Sequence, residues 1–155
     1  MKIMEKGGDD MILVTGGTAQ GKREFVERDL IGELAGERTG GMAGGTAGGR
    51  AVIWVDGAAA EPDCFLSAPF CHNLQAFVRR IVSGEIAVDL VELTELMQKA
   101  RPDRVIVTDE IGGGIVPTDP LERTWREETG RVCCCLAAAA GQVWRVNCGL
   151  GQRIK

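Results

Sequence analysis

The sequence predicts an α/β protein built around a mostly parallel sheet. Three observations carry that reading. Short apolar runs of strand length recur at Met11–Thr15, Ala51–Val55, Arg104–Thr108 and Gln142–Val146. Segments with helical spacing separate them, and most of the runs end in glycines or acids. Strands buried on both faces read as continuous apolar runs, and strand–helix alternation gives layers with ligands at the carboxyl ends of the strands.

The elements follow in order. Residues 1–10 are polar and are read as a loose extension ahead of the first strand, Met11–Thr15. A helix is expected from Lys22 to about Leu34, because Phe25, Val26, Leu30 and Leu34 share one side and Glu24, Glu27, Arg28 and Glu33 lie mostly opposite. Residues 36–50 are mostly glycine, alanine and threonine, a composition that does not repay ordering entropy, and are expected as a mobile loop. Ala51–Val55 is the second strand, ending at Asp56-Gly57.

A proline-containing connection over 58–71 leads to a helix from about His72 to Val82, where Leu74, Phe77, Val78 and Ile81 recur at helical spacing and Gly84 stops it. Asp89 is the expected N-cap of the next helix, which carries Leu90, Leu93 and Met97 and ends before Pro102. Arg104–Thr108 is the next strand, followed by Asp109-Glu110 and the loop through Gly112-Gly113-Gly114. Asp119-Pro120 opens a helix to about Thr129, and the alanine-rich 131–140 is read as another. Gln142–Val146 is expected to be the last strand.

Between the first strand and first helix stands Gly16-Gly17-Thr18-Ala19-Gln20-Gly21-Lys22, which satisfies G-x-x-x-x-G-K in the strand–loop–helix context the motif requires. Its glycines let successive N–H groups face phosphate oxygens, and the helix N-terminus adds positive potential. The expected fold is therefore a three-layer P-loop (RecA-like) arrangement in one domain spanning 1–155. Gly16 through Lys22, with Arg23 and Asp56, are the nucleotide-binding candidates, for ATP or GTP with Mg²⁺. Arg23 occupies the place of the Ser or Thr that ordinarily ligates Mg²⁺. It is read as a solvent-facing helix residue; Thr18 or Thr15 are alternative hydroxyls for the metal, and a phosphate contact by Arg23 itself is a further alternative.

Asp56, Asp109 and Glu110 end strands, where P-loop proteins place acids for Mg²⁺ or for an attacking hydroxyl. Lys22, Asp56 and Glu110 are the catalytic candidates, with Asp56 and Asp109 for Mg²⁺. His72, the sole histidine, is read as a surface or capping residue opening its helix, with a nucleophilic role as the alternative. A sole histidine excludes multi-histidine metal sites. Three of the six cysteines are consecutive, Cys133 to Cys135, and no C-x-x-C pair occurs, so reduced packing thiols are expected.

A formal net charge of −4 supplies no basic field for nucleic acid or an anionic membrane. Met1 to Asp10 lacks the apolar core of a signal peptide, and no apolar stretch is long enough to span a bilayer. The expected location is cytoplasmic.

The second half is more specific than the loop. Val107 through Pro117, then Arg123-Thr-Trp-Arg126, Gly130-Arg131, Leu136 through Ala140 and Val143-Trp-Arg-Val146 are similar to an ordered series, T-N-E-V-G-x-G-I-V-P, R-x-F-R, G-R, L-A-x-x-A and V-x-x-V-x-x-G. That series, with the opening Met11-Ile-Leu-Val-Thr-Gly-Gly17, resembles the adenosylcobinamide kinase/adenosylcobinamide-phosphate guanylyltransferase family. The resemblance covers Met11–Lys22 and Thr108 onward.

It implies an α/β nucleotide-binding trimer that phosphorylates the aminopropanol hydroxyl of adenosylcobinamide and then transfers GMP from GTP onto that phosphate through a guanylylated histidine. By position, Gly16–Lys22 would bind nucleotide phosphates, Asp56 replaces a strand-end glutamate, Glu110 matches the family's N-E glutamate, and Asp109 stands where the pattern has Asn. The interval between the first helix and Ala51, where the family histidine lies, holds no histidine here; His72 would serve only if its helix starts near bound nucleotide. Trp54, Trp125 and Trp144 are read as packing residues, with a corrinoid surface as the alternative. A nucleotide- or corrinoid-binding protein without turnover, and a P-loop kinase for another small alcohol or nucleoside, are the competing functions.

Overall fold

The computed structural model describes residues 10–31 and 52–155. The expectations for an extension over residues 1–9, for the glycine-rich 36–50, and for the helix as far as Leu34 lie outside the described residues. The elements are β1 (Ile12–Thr15), α1 (Lys22–Phe25, continuing as a π-helical turn over Val26–Leu30), β2 (Val55–Asp56), α2 (Pro62–Ser67), β3 (Phe70–His72), α3 (Leu74–Val82), α4 (Leu90–Ala100), β4 (Val105–Val107), α5 (Pro120–Ala139), β5 (Gln142–Asn147) and β6 (Leu150–Arg153). They form one six-stranded sheet of order β2-β3-β4-β1-β5-β6. Every neighbouring pair is parallel except β5 and β6. This is the expected α/β P-loop architecture.

β1 lies inside the sheet, with Leu13 opposite Ile106 on one side and Val143 on the other. The period-two alternation of strand side chains divides the core. Met11, Leu13, Ile106 and Val143 face the layer of α2 through α5, where Leu74, Phe77, Leu93, Met97 and Leu136 are buried. Ile12, Val14, Val105, Val107 and Val146 face α1 through Phe25, Val26 and Leu30. Phe65 of α2 and Phe77 of α3 stack with ring centroids 4.2 Å apart; burying each phenyl ring is worth roughly 1.5–3 kcal/mol.

The helix boundaries have local causes. Asp89 and Asp119 cap α4 and α5 by accepting from the amides of Val91 and Leu121, both at 2.8 Å, as their sequence positions predict. Pro120 occupies the first turn, where a missing N–H costs nothing. Gly84, at φ 78, follows the end of α3.

Within the described residues the strand expected over Ala51–Val55 is confined to Val55–Asp56, with Ile53 exposed, and four further features differ from the sequence reading. The connection over 58–71 contains α2 and most of β3, a strand of three residues between two helices. His72 is the last residue of β3 and does not open α3; Asn73, in the left-handed region at φ 56, makes the turn and α3 starts at Leu74. The two helices expected on either side of Gly130 are one helix of 20 residues. Thr129, Val132 and Leu136 are buried along it at helical spacing, and that burial outweighs the roughly 1 kcal/mol a mid-helix glycine costs.

Fourth, β5 is followed by β6 through a two-residue turn at Cys148 (φ 51) and Gly149 (φ 76). Two successive positive φ angles suit the twist of a tight hairpin. β6 escapes a periodicity search because its Leu150 is exposed and its other residues are Gly, Gln and Arg.

The tryptophans are half-buried and pack as expected. Trp144 lies 5.4 Å from Phe25, Trp54 lies 5.6 Å from Phe70, and Trp125 sits under the Arg79 guanidinium with its Nε1 donating to Gln75 O at 2.6 Å. All six cysteines are free; the packing role describes Cys71 and the half-buried Cys133, whereas Cys64, Cys134, Cys135 and Cys148 are exposed. Among the described residues, no helix is long and apolar enough to cross a membrane.

Candidate functional site

The loop from Gly16 to Lys22 curls at the carboxyl end of β1. Its backbone passes so close to β5 that a Cβ on Gly16 would collide with the Val146 carbonyl, which is why the position takes glycine. Gly21, at φ 78, turns the chain into α1, and its carbonyl accepts from the Phe25 amide at 3.0 Å. The first-turn amides of α1 have no acceptor within the helix and are left for a ligand.

The β5–β6 turn clamps this loop. Gln20 accepts from the Cys148 amide through Oε1 at 2.7 Å and from the Gly149 amide through its own carbonyl at 2.8 Å. Arg28 reaches the Gly149 carbonyl at 3.1 Å. The sequence places Gln20 among the nucleotide-binding candidates; its clamp depends on β6, which the sequence reading does not contain.

Asp109, just beyond β4, closes the other side. Its Oδ1 lies 2.6 Å from Lys22 Nζ, and its Oδ2 accepts from Thr18 Oγ1 at 3.0 Å. Lys22 is 7% exposed and donates as well to Gly17 O at 2.5 Å. Gln75, buried on α3, holds the segment in place by accepting from the Asp109 amide at 3.1 Å. The Glu110 amide donates to Gly16 O at 3.0 Å, joining the two loops.

Together they leave a cleft of about 420 Å³. Thr18 through Arg23 form one wall, and His72, Asn73, Val107 and Asp109 contribute to the other. Arg23 is exposed at the rim, as read from the sequence, but it also lines the cleft. His72 enters from the end of β3, its ring edge-on to Trp54 with centroids 6.0 Å apart. Burial lowers the His72 pKa below its ordinary value; Asp56 opposes that shift and Arg23 adds to it.

The candidates therefore separate. Lys22, Thr18, Asp109 and His72 share the cleft, whereas Asp56 and Glu110 are not among its lining residues. Asp56 pairs with His72 across β2 and β3, and its Oδ1 accepts from the Ala58 amide and the Asn73 side-chain amide, both at 2.9 Å. Burial pushes the Asp56 carboxyl pKa up, but those two donors together with the positive charges of His72 and Arg23 outweigh it and hold the group below the usual carboxylate range. Glu110 points to a neighbouring cavity and is 2.8 Å from Arg145. Asn73, a cleft residue absent from the sequence candidates, had one signal: an Asn directly before an apolar helical run favours the left-handed turn it makes.

Among the described residues, no three His, Cys, Asp or Glu side chains gather to hold a metal ion. Asp109 and Thr18 do offer two hard oxygens at the phosphate loop. That donor set suits Mg²⁺, which is held by one or two carboxylates together with substrate phosphates.

A glycine loop between a buried parallel strand and a helix, with its lysine at a cleft on the carboxyl edge of the sheet, defines a P-loop α/β protein. The pattern of the cobinamide kinase / cobinamide phosphate guanyltransferase family matches residues 64–154, more than half of the chain, and the chain belongs to that family. That stretch carries β3 to β6; the phosphate loop lies ahead of it. The chain is 41% identical over 80 residues to the bifunctional adenosylcobalamin biosynthesis protein CobU of Salmonella typhimurium, covering 52% of this chain and 42% of that protein. It is 43% identical over 70 residues to the protein of the same name from Escherichia coli, covering 45% of this chain and 39% of that one. The chain thus spans about two fifths of the length of the curated relatives it matches.

Proposed function

We propose that this protein phosphorylates the hydroxyl of adenosylcobinamide with a nucleoside triphosphate, in the cytoplasm, as a step of cobalamin biosynthesis. The observation that carries the reading is Lys22 held at the phosphate loop beside the cleft, ion-paired with Asp109. Loop amides and the Lys22 ammonium would hold the triphosphate, ATP or GTP, and stabilise charge developing on the transferred group. A loose phosphoryl transition state needs positioning and electrostatics more than covalent help.

Mg²⁺, when bound, supplies neutralisation of the phosphate charge, and Asp109 and Thr18 would hold it, with Arg23 contributing charge from the rim. Asp56 acts through Asn73 and His72 as a positioning residue and is assigned neither to the metal nor to the nucleotide. Membership of a family described as kinase and guanyltransferase supports the substrate class. A homotrimer remains the expectation drawn from that likeness.

Guanylyl transfer is the second activity. His72 supports it, because its imidazole lines the nucleotide cleft and burial favours the neutral, nucleophilic form. Incubation with adenosylcobinamide, Mg²⁺ and ATP or GTP is expected to yield adenosylcobinamide phosphate, and a wild-type rate equal to that of Lys22→Ala removes the kinase assignment. Label from α-phosphate-radiolabelled GTP is expected on wild type and absent from His72→Ala; label retained by the variant excludes His72 as the attachment point.

A further inference from the structure

A second cavity, of about 340 Å³, opens on the opposite face of the sheet's carboxyl edge, between the loop after β4 and helix α5. Asp109 borders both it and the phosphate cleft. Its other polar walls include Thr15, Glu110, Thr129 and the Cys133 thiol. Thr129 is 2% exposed, and its hydroxyl has no hydrogen-bond partner. A buried hydroxyl left unpaired costs about 1–3 kcal/mol, so it calls for an explanation.

The space is kept open by small residues. A Cβ on Gly112, Gly113 or Gly130 would meet nothing within 4 Å, and Gly130 sits in mid-helix, where alanine would be the more stable choice. Arg126 braces the loop by donating to the carbonyls of Gly113 at 3.4 Å and Ile115 at 3.0 Å. The space carries little free charge, since Asp109 is paired with Lys22, Glu110 with Arg145, and Arg126 is engaged with carbonyls. A neutral or amine-bearing alcohol suits it, its O–H donating to a carboxylate and its oxygen accepting from Thr129. The volume admits a short aliphatic alcohol and excludes a whole corrinoid.

We propose that this cavity seats the hydroxyl-bearing arm of the phosphoryl acceptor, with the Thr129 hydroxyl as its hydrogen-bond donor and Asp109 as the wall shared with the nucleotide. The inference rests on the kinase reading. In the transfer, the arm's oxygen forms a bond to the γ-phosphorus, and the bond from that phosphorus to the β,γ-bridging oxygen breaks. Nucleoside diphosphate leaves, and the hydroxyl proton passes to Glu110.

The test is Thr129→Val, isosteric but without the hydroxyl, beside Thr129→Ser. If wild type makes product, Thr129→Val is expected to raise the KM for adenosylcobinamide about tenfold, with nucleotide affinity unchanged and Thr129→Ser restoring it. An unchanged KM in a folded Thr129→Val variant overturns the proposal while the kinase reading stands. If wild type makes no product, 1-amino-2-propanol is titrated against the labelled protein by NMR. Saturable amide shifts at Ile111, Thr129 and Gly130, lost in Thr129→Val, then uphold the cavity although the kinase reading has failed; their absence overturns it.

Discussion

Lys22 Nζ lies 2.6 Å from Asp109 Oδ1, so the ammonium proposed to bind phosphate has an anionic partner within the protein. On that proposal a triphosphate would compete with the carboxylate for the same cation, and Mg²⁺ would change the outcome by giving Asp109 another cation to serve. Asp109→Asn is therefore expected to tighten nucleotide binding in chelator by roughly tenfold, about the worth of one charged contact. It is expected to weaken the Mg²⁺-dependent gain. Titrating a fluorescent nucleotide with and without Mg²⁺ measures both, and equal Mg²⁺ dependence in the two proteins removes Asp109 as a metal ligand.

Arg104 supports the opposite end of β4. Its guanidinium is wholly buried with no carboxylate partner among the described residues and donates to Leu66 O at 2.5 Å, Phe65 O at 2.6 Å and Met97 O at 3.3 Å. Those carbonyls lie in the last turns of α2 and α4, where positive charge complements the helix dipole. Arg104→Met leaves the Leu66 carbonyl without its donor and takes one of two donors from the carbonyls of Phe65 and Met97, which keep the amides of Ala68 and Arg101. A loss of about 1–3 kcal/mol is expected, the cost of leaving a buried acceptor without its donor, with Arg104→Lys intermediate because it lacks the planar fork. Urea unfolding reads both; a midpoint unchanged in Arg104→Met refutes this role.

Legibility in the sequence tracked how local each signal was. β1, β4 and the phosphate loop were readable because buried parallel strands are continuous apolar runs and G-x-x-x-x-G-K fixes the turn between strand and helix. The caps at Asp89 and Asp119 were readable for the same reason, since a cap acts within its own turn. β3 was not: three residues give no periodicity, and its register with Ile106 and Val105 is set by pairing far along the chain. Losing β3 misplaced His72, because the end of a strand points at the cleft while the start of a helix need not. That Asp109 borders both the cleft and the neighbouring cavity while Glu110 borders only the latter was illegible too, since it depends on how the loop after β4 sits at the sheet edge.

The cysteines give an independent check on the packing. Burial pushes both the Cys71 and the Cys133 thiol up to about 11, so at pH 8 neither supplies appreciable thiolate. Cys64, Cys134, Cys135 and Cys148 are exposed. Iodoacetamide at pH 8 is expected to modify those four in the native protein, and Cys71 and Cys133 only after denaturation. Peptide mass spectrometry decides it, and early labelling of Cys71 would place β3 outside the core.

His72 makes acid stability a probe of the cleft. Its folded pKa lies below the ordinary value near 6.5, so above that pH the imidazole is neutral in both states and contributes nothing to the pH dependence. As pH falls below about 6.5 the unfolded chain takes the proton first, and stability declines until the folded imidazole titrates as well. Asp56 works in another window: its lowered carboxyl stabilises the fold above the unfolded value near 3.9, and that contribution is lost as pH falls through the folded pKa. Because His72 is the only histidine, a decline between pH 7.0 and 5.5 has one principal side-chain source. Wild type is expected to lose more thermal stability over that interval than His72→Gln, which cannot take up the proton. Equal losses in the two proteins would mean that the imidazole is as well solvated folded as unfolded, and it would then lack the burial that keeps it neutral beside bound nucleotide.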